Sequence, residues 1–122
     1  MTSRSVRLAP LLAVVALLAG ARAALAEPLT RVPAQQVCMV NDTHLPKDQI
    51  PVAVGGKTYF GCCEMCKDRL ASDAAIRQAT DPVSGKKVDK ATAVIGAKPD
   101  GKVLYFESEK TFHTYAKRAG SA

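Results

Sequence analysis

Four residues of the chain are suited to soft-metal or redox chemistry, the cysteines Cys38, Cys62, Cys63 and Cys66. Cys62 and Cys66 are four residues apart, so on a helix their sulfurs project from the same face, one turn apart. The hairpin predicted between Cys38 and Cys62 returns the chain to the start of that helix, which brings a third thiol within reach. The positive end of the helix should lower the pKa values of these thiols. Three converging thiolates suit Cu(I), Zn(II) or toxic thiophilic ions such as mercury and cadmium.

A fourth ligand has several candidates. Cys63 follows Cys62 directly but lies about 100° further round a helix, although Cys-x-x-Cys at a helix start is a familiar ligand pair. The other donor atoms nearby belong to His44, Asn41, Asp42, Met39 and Met65. His44 is more typical of a loop surface, and methionines are more often core residues than ligands. Cu(I) needs only two or three sulfurs, so the site can also lack a fourth ligand.

The same cysteines allow two other interpretations. A disulfide from Cys38 to Cys62 or Cys63 would staple a small exported domain. Redox exchange through the Cys63-to-Cys66 pair would be expected within a thioredoxin-like βαβ pattern, which does not surround it. We therefore predict a metal site. Its ligands are Cys38, Cys62 and Cys66, with Cys63 as an auxiliary ligand.

The beginning of the chain has the pattern of a secretory signal peptide. Arg4 and Arg7 precede an apolar run from Leu8 to Ala19, and Ala24-Leu25-Ala26 fits a cleavage site. The run is too short to span a bilayer comfortably. Removing a leader of residues 1–26 from the 122 residues leaves 96, enough for one small domain or two very small modules. We expect a periplasmic or secreted protein with no stable membrane insertion after cleavage.

Charge and motif content exclude several classes of function. The chain has 17 Lys and Arg against 11 Asp and Glu, a formal net charge of +6. Three of the arginines fall in the predicted leader, so the rest carries 14 − 11 = +3, with no long basic run to contact a nucleic acid. An enzyme is not expected either. There is no Ser/His/acid order, no recognisable pair of carboxylates and no phosphate-binding glycine loop.

The elements that must position the cysteines start with a hairpin. Residues 50–54 and 57–60 read as strands around the turn Gly55-Gly56. A helix follows from about Cys62, with Leu70 on the face of Cys62 and Cys66. A second short helix is predicted over residues 74–79, capped by Ser72-Asp73.

The second half of the chain repeats this order. Residues 91–97 and 102–106 read as strands around the turn Pro99-Asp100-Gly101. Ser108 is placed to cap a helix that runs to about Arg118, with Phe112 and Tyr115 as an apolar pair.

A constant offset of 46 residues relates the two halves. The matching pairs are Val37 with Val83, Gly55 with Gly101, Tyr59 with Tyr105 and Phe60 with Phe106. The same offset sends Cys38 to Ser84, Cys62 to Ser108 and Cys66 to Phe112, so the second half lacks the thiols. We predict an α+β protein of two tandem ββα modules, residues 37–79 and 80–122, after a lead-in of residues 27–36. They should pack together, because a module of this size rarely buries enough apolar area alone.

The first module resembles a TRASH domain, which is related to the YHS domain and named for trafficking, resistance and sensing of heavy metals. The family pattern is one cysteine, an intervening stretch, and then Cys-x-x-x-Cys after an aromatic strand. Here Cys38 is followed, after 23 intervening residues, by Cys62 and Cys66. The aromatic pair before them is Tyr59-Phe60.

The second module resembles a degenerate YHS repeat. It has Asp81-Pro82-Val83-Ser84-Gly85 where the family usually has Asp-Pro-x-Cys-Gly, and Leu104-Tyr105-Phe106 before its helix. The resemblance implies small treble-clef-like modules, of which only the first is competent to bind a metal.

Together with the predicted leader, the resemblance implies an exported protein that holds or transfers one thiophilic ion per chain, copper(I) or zinc. Its partners would be that ion and a metal donor or acceptor protein, in metal trafficking, resistance or cuproprotein assembly. An exposed site would allow transfer by ligand exchange, whereas a closed four-sulfur site would indicate structural zinc. The alternatives are an interaction protein stapled by zinc or disulfides, and a thiol oxidoreductase that uses Cys63 and Cys66.

Overall fold

The computed structural model describes residues 28–120. Over this range the chain is a small α+β fold with two α-helices and nine short strands, which confirms the predicted fold class at that level. The predicted signal peptide, residues 1–26, lies outside the described residues, as does the first residue of the predicted lead-in. Within residues 28–120, no helix has both the length and the apolar character needed to cross a membrane.

The strands of this range pair antiparallel in four small sheets. In chain order the strands are β1 (Thr30–Arg31), β2 (Val37–Cys38), β3 (Thr43–His44), β4 (Ile50–Val54), β5 (Lys57–Gly61), β6 (Gln78–Thr80), β7 (Lys87–Asp89), β8 (Val94–Ala97) and β9 (Val103–Phe106). The helices are α1 (Glu64–Ser72) and α2 (Glu109–Gly120). One sheet has the order β1-β8-β9, and the others are the pairs β2-β3, β4-β5 and β6-β7.

Strands β4 and β5 form the hairpin predicted for residues 50–60, with β5 one residue longer. The turn residues Gly55 and Gly56 have φ angles of +56° and +78°. A two-residue turn of this kind needs positive φ at both positions, which glycine adopts without strain. Val52 and Tyr59 pair across the hairpin and are buried in the core.

Helix α1 begins at Glu64, two residues after its predicted start near Cys62. Cys63 is its N-cap, because the Cys63 sulfur accepts the backbone N–H of Cys66 at 3.5 Å. The buried side chains of the helix are Cys66 and Leu70, as the spacing predicts. Cys62 precedes the helix, so the end of the hairpin, not the helix, sets its position.

The helix predicted for residues 74–79 is wrong. A single 3₁₀ turn at Ala75–Arg77 is followed by β6, which pairs with β7. Asp73 does accept the N–H of Ala75 at 2.9 Å, but the guanidinium of Arg77 then folds back to the carbonyl oxygen of Leu70 at 2.6 Å. The residues from Gln78 onward find backbone partners in β7, and this pairing overrides the weak helical preference of the segment.

Strands β8 and β9 form the second hairpin, and β8 begins at Val94, three residues after its predicted start. The residues before Val94 form a turn, because the Asp89 carboxylate accepts the N–H of Ala91 at 2.9 Å. Helix α2 follows Ser108, whose hydroxyl accepts the N–H of Thr111 at 3.3 Å. This confirms the predicted cap.

Both halves of the described chain contribute to one apolar core. Its buried members are Val32, Val37, Met39, Val52, Tyr59, Leu70, Val88, Ile95, Ala97, Val103 and Tyr105. Side chains from the second half therefore cover apolar surface of the cysteine-bearing half, as the small size of each half requires. The module boundaries at 37–79 and 80–122 stay a prediction.

Candidate metal centre

Three cysteine sulfurs come together at the start of α1. The Sγ atoms of Cys38, Cys62 and Cys66 all lie within 4.8 Å of one another, and together they can hold a metal ion. The Cys66 sulfur lies 4.0 Å from that of Cys38 and 3.6 Å from that of Cys62. Three thiolates at about 2.3 Å from one ion in a trigonal plane lie about 4.0 Å apart, so little movement is needed to close the site around an ion.

Three different elements position these sulfurs. Cys38 ends β2 and pairs with Thr43 of β3, which fixes the backbone on both sides of its turn. Cys62 follows the last residue of β5, and Cys66 lies in the first turn of α1. The sequence prediction that a hairpin would bring Cys38 to the helix start therefore describes the observed geometry.

Gly61, which the sequence analysis did not single out, sets the distance between β5 and α1. A Cβ atom at this position would lie 3.0 Å from the Cβ of Cys66 and 3.2 Å from its carbonyl carbon. Only glycine lets the end of the strand approach the helix this closely without displacement. A glycine at a strand end directly before two cysteines is the signal that could have identified it.

The centre is buried on one side and open on the other. Cys38 and Cys66 are buried, with 0% and 7% of their surface exposed, whereas Cys62 and Cys63 are exposed. All four cysteines are free thiols in the structure. An ion held by the three sulfurs would thus be anchored by the two buried thiols and reachable from solvent beside Cys62.

Cys63 lies at the edge of the centre. Its Sγ is 3.4 Å from that of Cys66, but it does not belong to the group of three mutually close sulfurs. It also caps α1, so its lone pairs are partly used by the backbone of the helix. Its role as an auxiliary ligand stays a prediction.

The structure does not bring the other candidate ligands into the sulfur group. His44 lies in β3 with its Nε2 3.2 Å from Oε1 of Gln36. Asn41 reaches the site as a donor, because its side-chain amide lies 3.7 Å from the Cys62 sulfur. Met39 is fully buried in the core, and Met65 is 73% exposed.

The carboxylate of Asp42, the remaining candidate, points to other partners. It accepts hydrogen bonds from the ammonium of Lys90 and the hydroxyl of Tyr105, each at 2.8 Å. Lys90 is a second residue that sequence reasoning missed, since no local pattern marks a lysine for burial.

The four thiols differ in their tendency to ionise. Burial raises the pKa of Cys66 to about 12, and a hydrogen bond with Cys38 raises that of Cys62. Burial also opposes ionisation of Cys38, but the backbone N–H groups of Asn41 and Val40 outweigh it and lower its pKa.

The helix N-terminus is expected to lower the pKa values of the nearby thiols. Among the thiols at the helix start, this lowering is found for one. The backbone N–H of Cys66 lowers the pKa of Cys63, whereas burial among neighbouring sulfurs dominates at Cys66 itself. An ion that binds here must displace protons from the thiols of raised pKa, so binding is coupled to proton release.

The second half replaces thiols with oxygen-based hydrogen bonds. Ser84, the residue at the offset of Cys38, donates from its hydroxyl to Glu107 at 3.2 Å. The buried carboxylate of Asp81 accepts the Thr111 hydroxyl at 2.6 Å and the Glu107 N–H at 2.8 Å. The turn that begins at Asp81 is thereby fastened to the start of α2 without any sulfur.

Comparisons of the chain with protein-family models, with curated proteins and with solved structures found no match. The centre is therefore defined by its own residues. It consists of three sulfurs within 4.8 Å of one another that could hold one ion, two of them buried, and a fourth thiol beside them.

Proposed function

We propose that this protein is an exported heavy-metal-binding protein that holds one thiophilic ion per chain, with copper(I) preferred over zinc. The observation that carries the proposal is the mutual approach of Cys38, Cys62 and Cys66, whose sulfurs lie within 4.8 Å of one another. An all-sulfur ligand set selects soft ions and disfavours Mg²⁺ and Ca²⁺, which take oxygen ligands.

The number of sulfurs favours copper(I). Structural zinc is almost always four-coordinate, and a fourth protein sulfur would have to come from Cys63. That sulfur lies outside the close group and caps α1. Copper(I) is satisfied by the three sulfurs that already converge.

The exposure of the site favours a holding or transfer role in metal trafficking or resistance. Cys62 is exposed, so an incoming ligand from a metal donor or acceptor protein can reach the ion without unfolding the site. The buried pair, Cys38 and Cys66, would retain the ion during such an exchange. A purely structural ion is usually enclosed by four protein ligands.

We extend this proposal to the ancestry and location of the chain. Residues 37–79 and 80–122 would be two tandem ββα modules of the TRASH and YHS type, the second degenerate. Support comes from the repeated order of hairpin and helix, β4-β5-α1 and β8-β9-α2, in which β5 and β9 begin 46 residues apart. The leader-like pattern of residues 1–26 supports export to the periplasm or beyond.

A second candidate function is thiol–disulfide exchange through Cys63 and Cys66. It is favoured by one observation, the 3.4 Å separation of their sulfurs at a helix start where the pKa of Cys63 is lowered. A disulfide reductase assay on wild type and Cys63→Ser tests it. Activity that survives the loss of Cys63 would remove this candidate.

The metal proposal is tested by thiol counting, mass spectrometry and anaerobic titration of the reduced protein with Cu(I) in competition with a chromogenic chelator. We expect four free thiols and one Cu(I) per chain. Cys66→Ser should lose most of this binding. Ser84→Ala, which changes the matching turn of the second half, should keep it. Two native disulfides and no metal uptake would contradict the proposal.

A further inference from the structure

Lys90 is buried against the turn that carries Cys38. Only 4% of its surface is exposed. Its ammonium donates to the carbonyl oxygen of Met39 at 2.7 Å and to the carboxylate of Asp42 at 2.8 Å. Burying an ammonium is costly unless it is paired and hydrogen-bonded, so these contacts define one arrangement of the turn.

Tyr105 holds the same turn from β9. Its hydroxyl donates to the Asp42 carboxylate at 2.8 Å, and the Lys90 ammonium lies 5.1 Å from the centre of its ring. Burial and the charge of Asp42 raise the pKa of Tyr105, so the hydroxyl stays protonated and remains a donor. Both Lys90 and Tyr105 come from the half of the chain that has no cysteine.

The turn that they hold bears directly on two of the three sulfurs. The turn starts at Cys38 itself, whose backbone pairs with Thr43 across it, and the Asn41 side chain donates to the Cys62 sulfur at 3.7 Å. Asp42 closes the turn with a φ of +50°, which residues other than glycine rarely adopt without support from their surroundings. If the turn relaxed, the Asn41 side-chain amide and the Cys38 sulfur would move together.

We propose that Lys90 and Tyr105 are positioning residues for the metal centre, which hold the turn at residues 39–42 so that Cys38 faces Cys62 and Cys66. This inference rests on the proposed metal-binding function. It gives the cysteine-free half of the chain a role in metal affinity, because contacts more than 45 residues away in sequence set the geometry of Cys38. Residues that orient the ligands without binding the ion themselves commonly lower metal affinity about 10- to 100-fold when they are mutated.

The chain supplies a matched control for this role. Tyr59, at the 46-residue offset from Tyr105, donates from its hydroxyl to Asp89 at 2.8 and 2.9 Å. Lys57 donates to the same carboxylate at 2.8 Å. This second lysine–aspartate–tyrosine group joins the halves in the same way, but the partners of the Asp89 carboxylate are Lys57, Tyr59 and the backbone N–H of Ala91, none of which belongs to the turn at residues 39–42.

The test compares Tyr105→Phe and Lys90→Met with the controls Tyr59→Phe and Lys57→Met in the reduced full chain. Cu(I) affinity is measured by competition with a chelator, and Co(II) is used as a second probe because sulfur-to-cobalt charge-transfer absorption reports ligand geometry. We expect the two test variants to bind Cu(I) about 10- to 100-fold more weakly and to change the Co(II) spectrum. The controls should keep both properties at wild-type values even where their thermal stability falls.

Tyr105→Phe removes only a hydroxyl, so it keeps the test decisive if Lys90→Met does not fold. Wild-type affinity and an unchanged Co(II) spectrum in folded Tyr105→Phe would overturn the positioning role while metal binding by the cysteines stands. Equal losses in Tyr105→Phe and Tyr59→Phe would also overturn it, because they would indicate a general effect of stability. A wild-type protein that binds neither ion would overturn the proposed function and this inference with it.

Discussion

Tyr59 and Tyr105 stand 46 residues apart, and each donates a hydrogen bond to an aspartate of the other half of the chain. Tyr59 reaches forward to Asp89, and Tyr105 reaches back to Asp42. A lysine completes each group, Lys57 at Asp89 and Lys90 at Asp42. These two reciprocal side-chain contacts fasten the halves to each other in addition to their shared core and to backbone hydrogen bonds such as that from Val103 to Asp42 at 3.0 Å.

The two groups differ in burial. The side chain of Lys57 is 47% exposed, whereas that of Lys90 is 5% exposed. Solvent screens the first ion pair and lowers its contribution to stability. In the second pair the Lys90 ammonium is enclosed beside the cysteine turn although the Asp42 side chain is 44% exposed, so the loss of Asp42 would leave a buried charge without its ion-pair partner.

Removing the Tyr59 hydroxyl should lower the stability of the fold without weakening metal binding. Tyr59→Phe removes a hydrogen bond to a charged carboxylate, for which we expect a fall of about 1–3 kcal/mol in the free energy of unfolding. Urea denaturation of the reduced, metal-free protein measures it. Tyr115→Phe, on the half-buried face of α2, is the comparison and should change the unfolding midpoint less. Equal midpoints for wild type and Tyr59→Phe would show that the Asp89 contact is energetically neutral.

The adjacent thiols Cys62 and Cys63 should differ in their contribution to metal binding. Both are exposed, but only Cys62 belongs to the close sulfur group. We expect Cys62→Ser to weaken Cu(I) binding by more than about 100-fold, beyond the range for residues that are not themselves ligands, and Cys63→Ser by less than about tenfold. Chelator competition measures both affinities under the same conditions. A loss at Cys63 as large as that at Cys62 would make Cys63 a full ligand and favour a four-sulfur zinc site.

The convergence of the cysteines was predictable because it depends on local rules. The Gly55-Gly56 turn forces the hairpin whose end sets the position of Cys62, and Cys66 follows in the first turn of the helix that begins two residues later. The identity of the buried face, Cys66 and Leu70, follows from the helical periodicity.

The partners of the cysteine turn were not predictable from the sequence. Tyr59 and Tyr105 are buried, as aromatic residues on strands commonly are, but the acceptors of their hydroxyls lie 30 and 63 residues away. The residues around Lys90 in the sequence would predict an exposed side chain. Its burial depends on the carbonyl of Met39, 51 residues earlier. Long-range contacts of this kind leave no periodic signal.

The same reason explains the error at residues 74–79. The local sequence favours a helix there, and Asp73 does begin a turn. The strand partner that converts Gln78–Thr80 into β6 lies in Lys87–Asp89, beyond the Asp81 turn. A pairing preference that comes from a later segment outweighs the local one.

Acid should destabilise the protein through Asp81. Its carboxylate is fully buried and accepts the Thr111 hydroxyl at 2.6 Å and the backbone N–H groups of Val83, Ser84 and Glu107 at 2.7, 3.1 and 2.8 Å. Burial raises the pKa of Asp81, but these hydrogen bonds outweigh it, so the folded-state pKa is lowered. A lowered pKa stabilises the fold above the unfolded value of about 3.9. The contribution is then lost as the pH falls from there through the folded pKa.

Urea midpoints measured from pH 7 to pH 3 test this linkage. Wild type should lose stability below about pH 4, and Asp81→Asn should be less stable at pH 7 by about 1–3 kcal/mol with a shallower acid dependence. Asp100→Asn is the control, because Asp100 also accepts a backbone N–H two residues on, at 2.9 Å, but from an exposed turn. If Asp81→Asn kept the full acid dependence of wild type, the loss of stability at low pH would be caused by other carboxylates.

The approach of β5 to α1 predicts a specific sensitivity at Gly61. Gly61→Ala places a methyl group 3.0 Å from the Cβ of Cys66, so the strand end and the helix must move apart. We expect a loss of about 1–3 kcal/mol in the free energy of unfolding, typical of overpacking, together with weaker Cu(I) binding because Cys62 and Cys66 separate. Gly120→Ala is the matched control, since nothing lies within 4 Å of a Cβ at that helical position. Wild-type Cu(I) affinity in folded Gly61→Ala would mean that the close approach of strand and helix does not set the spacing of the sulfurs.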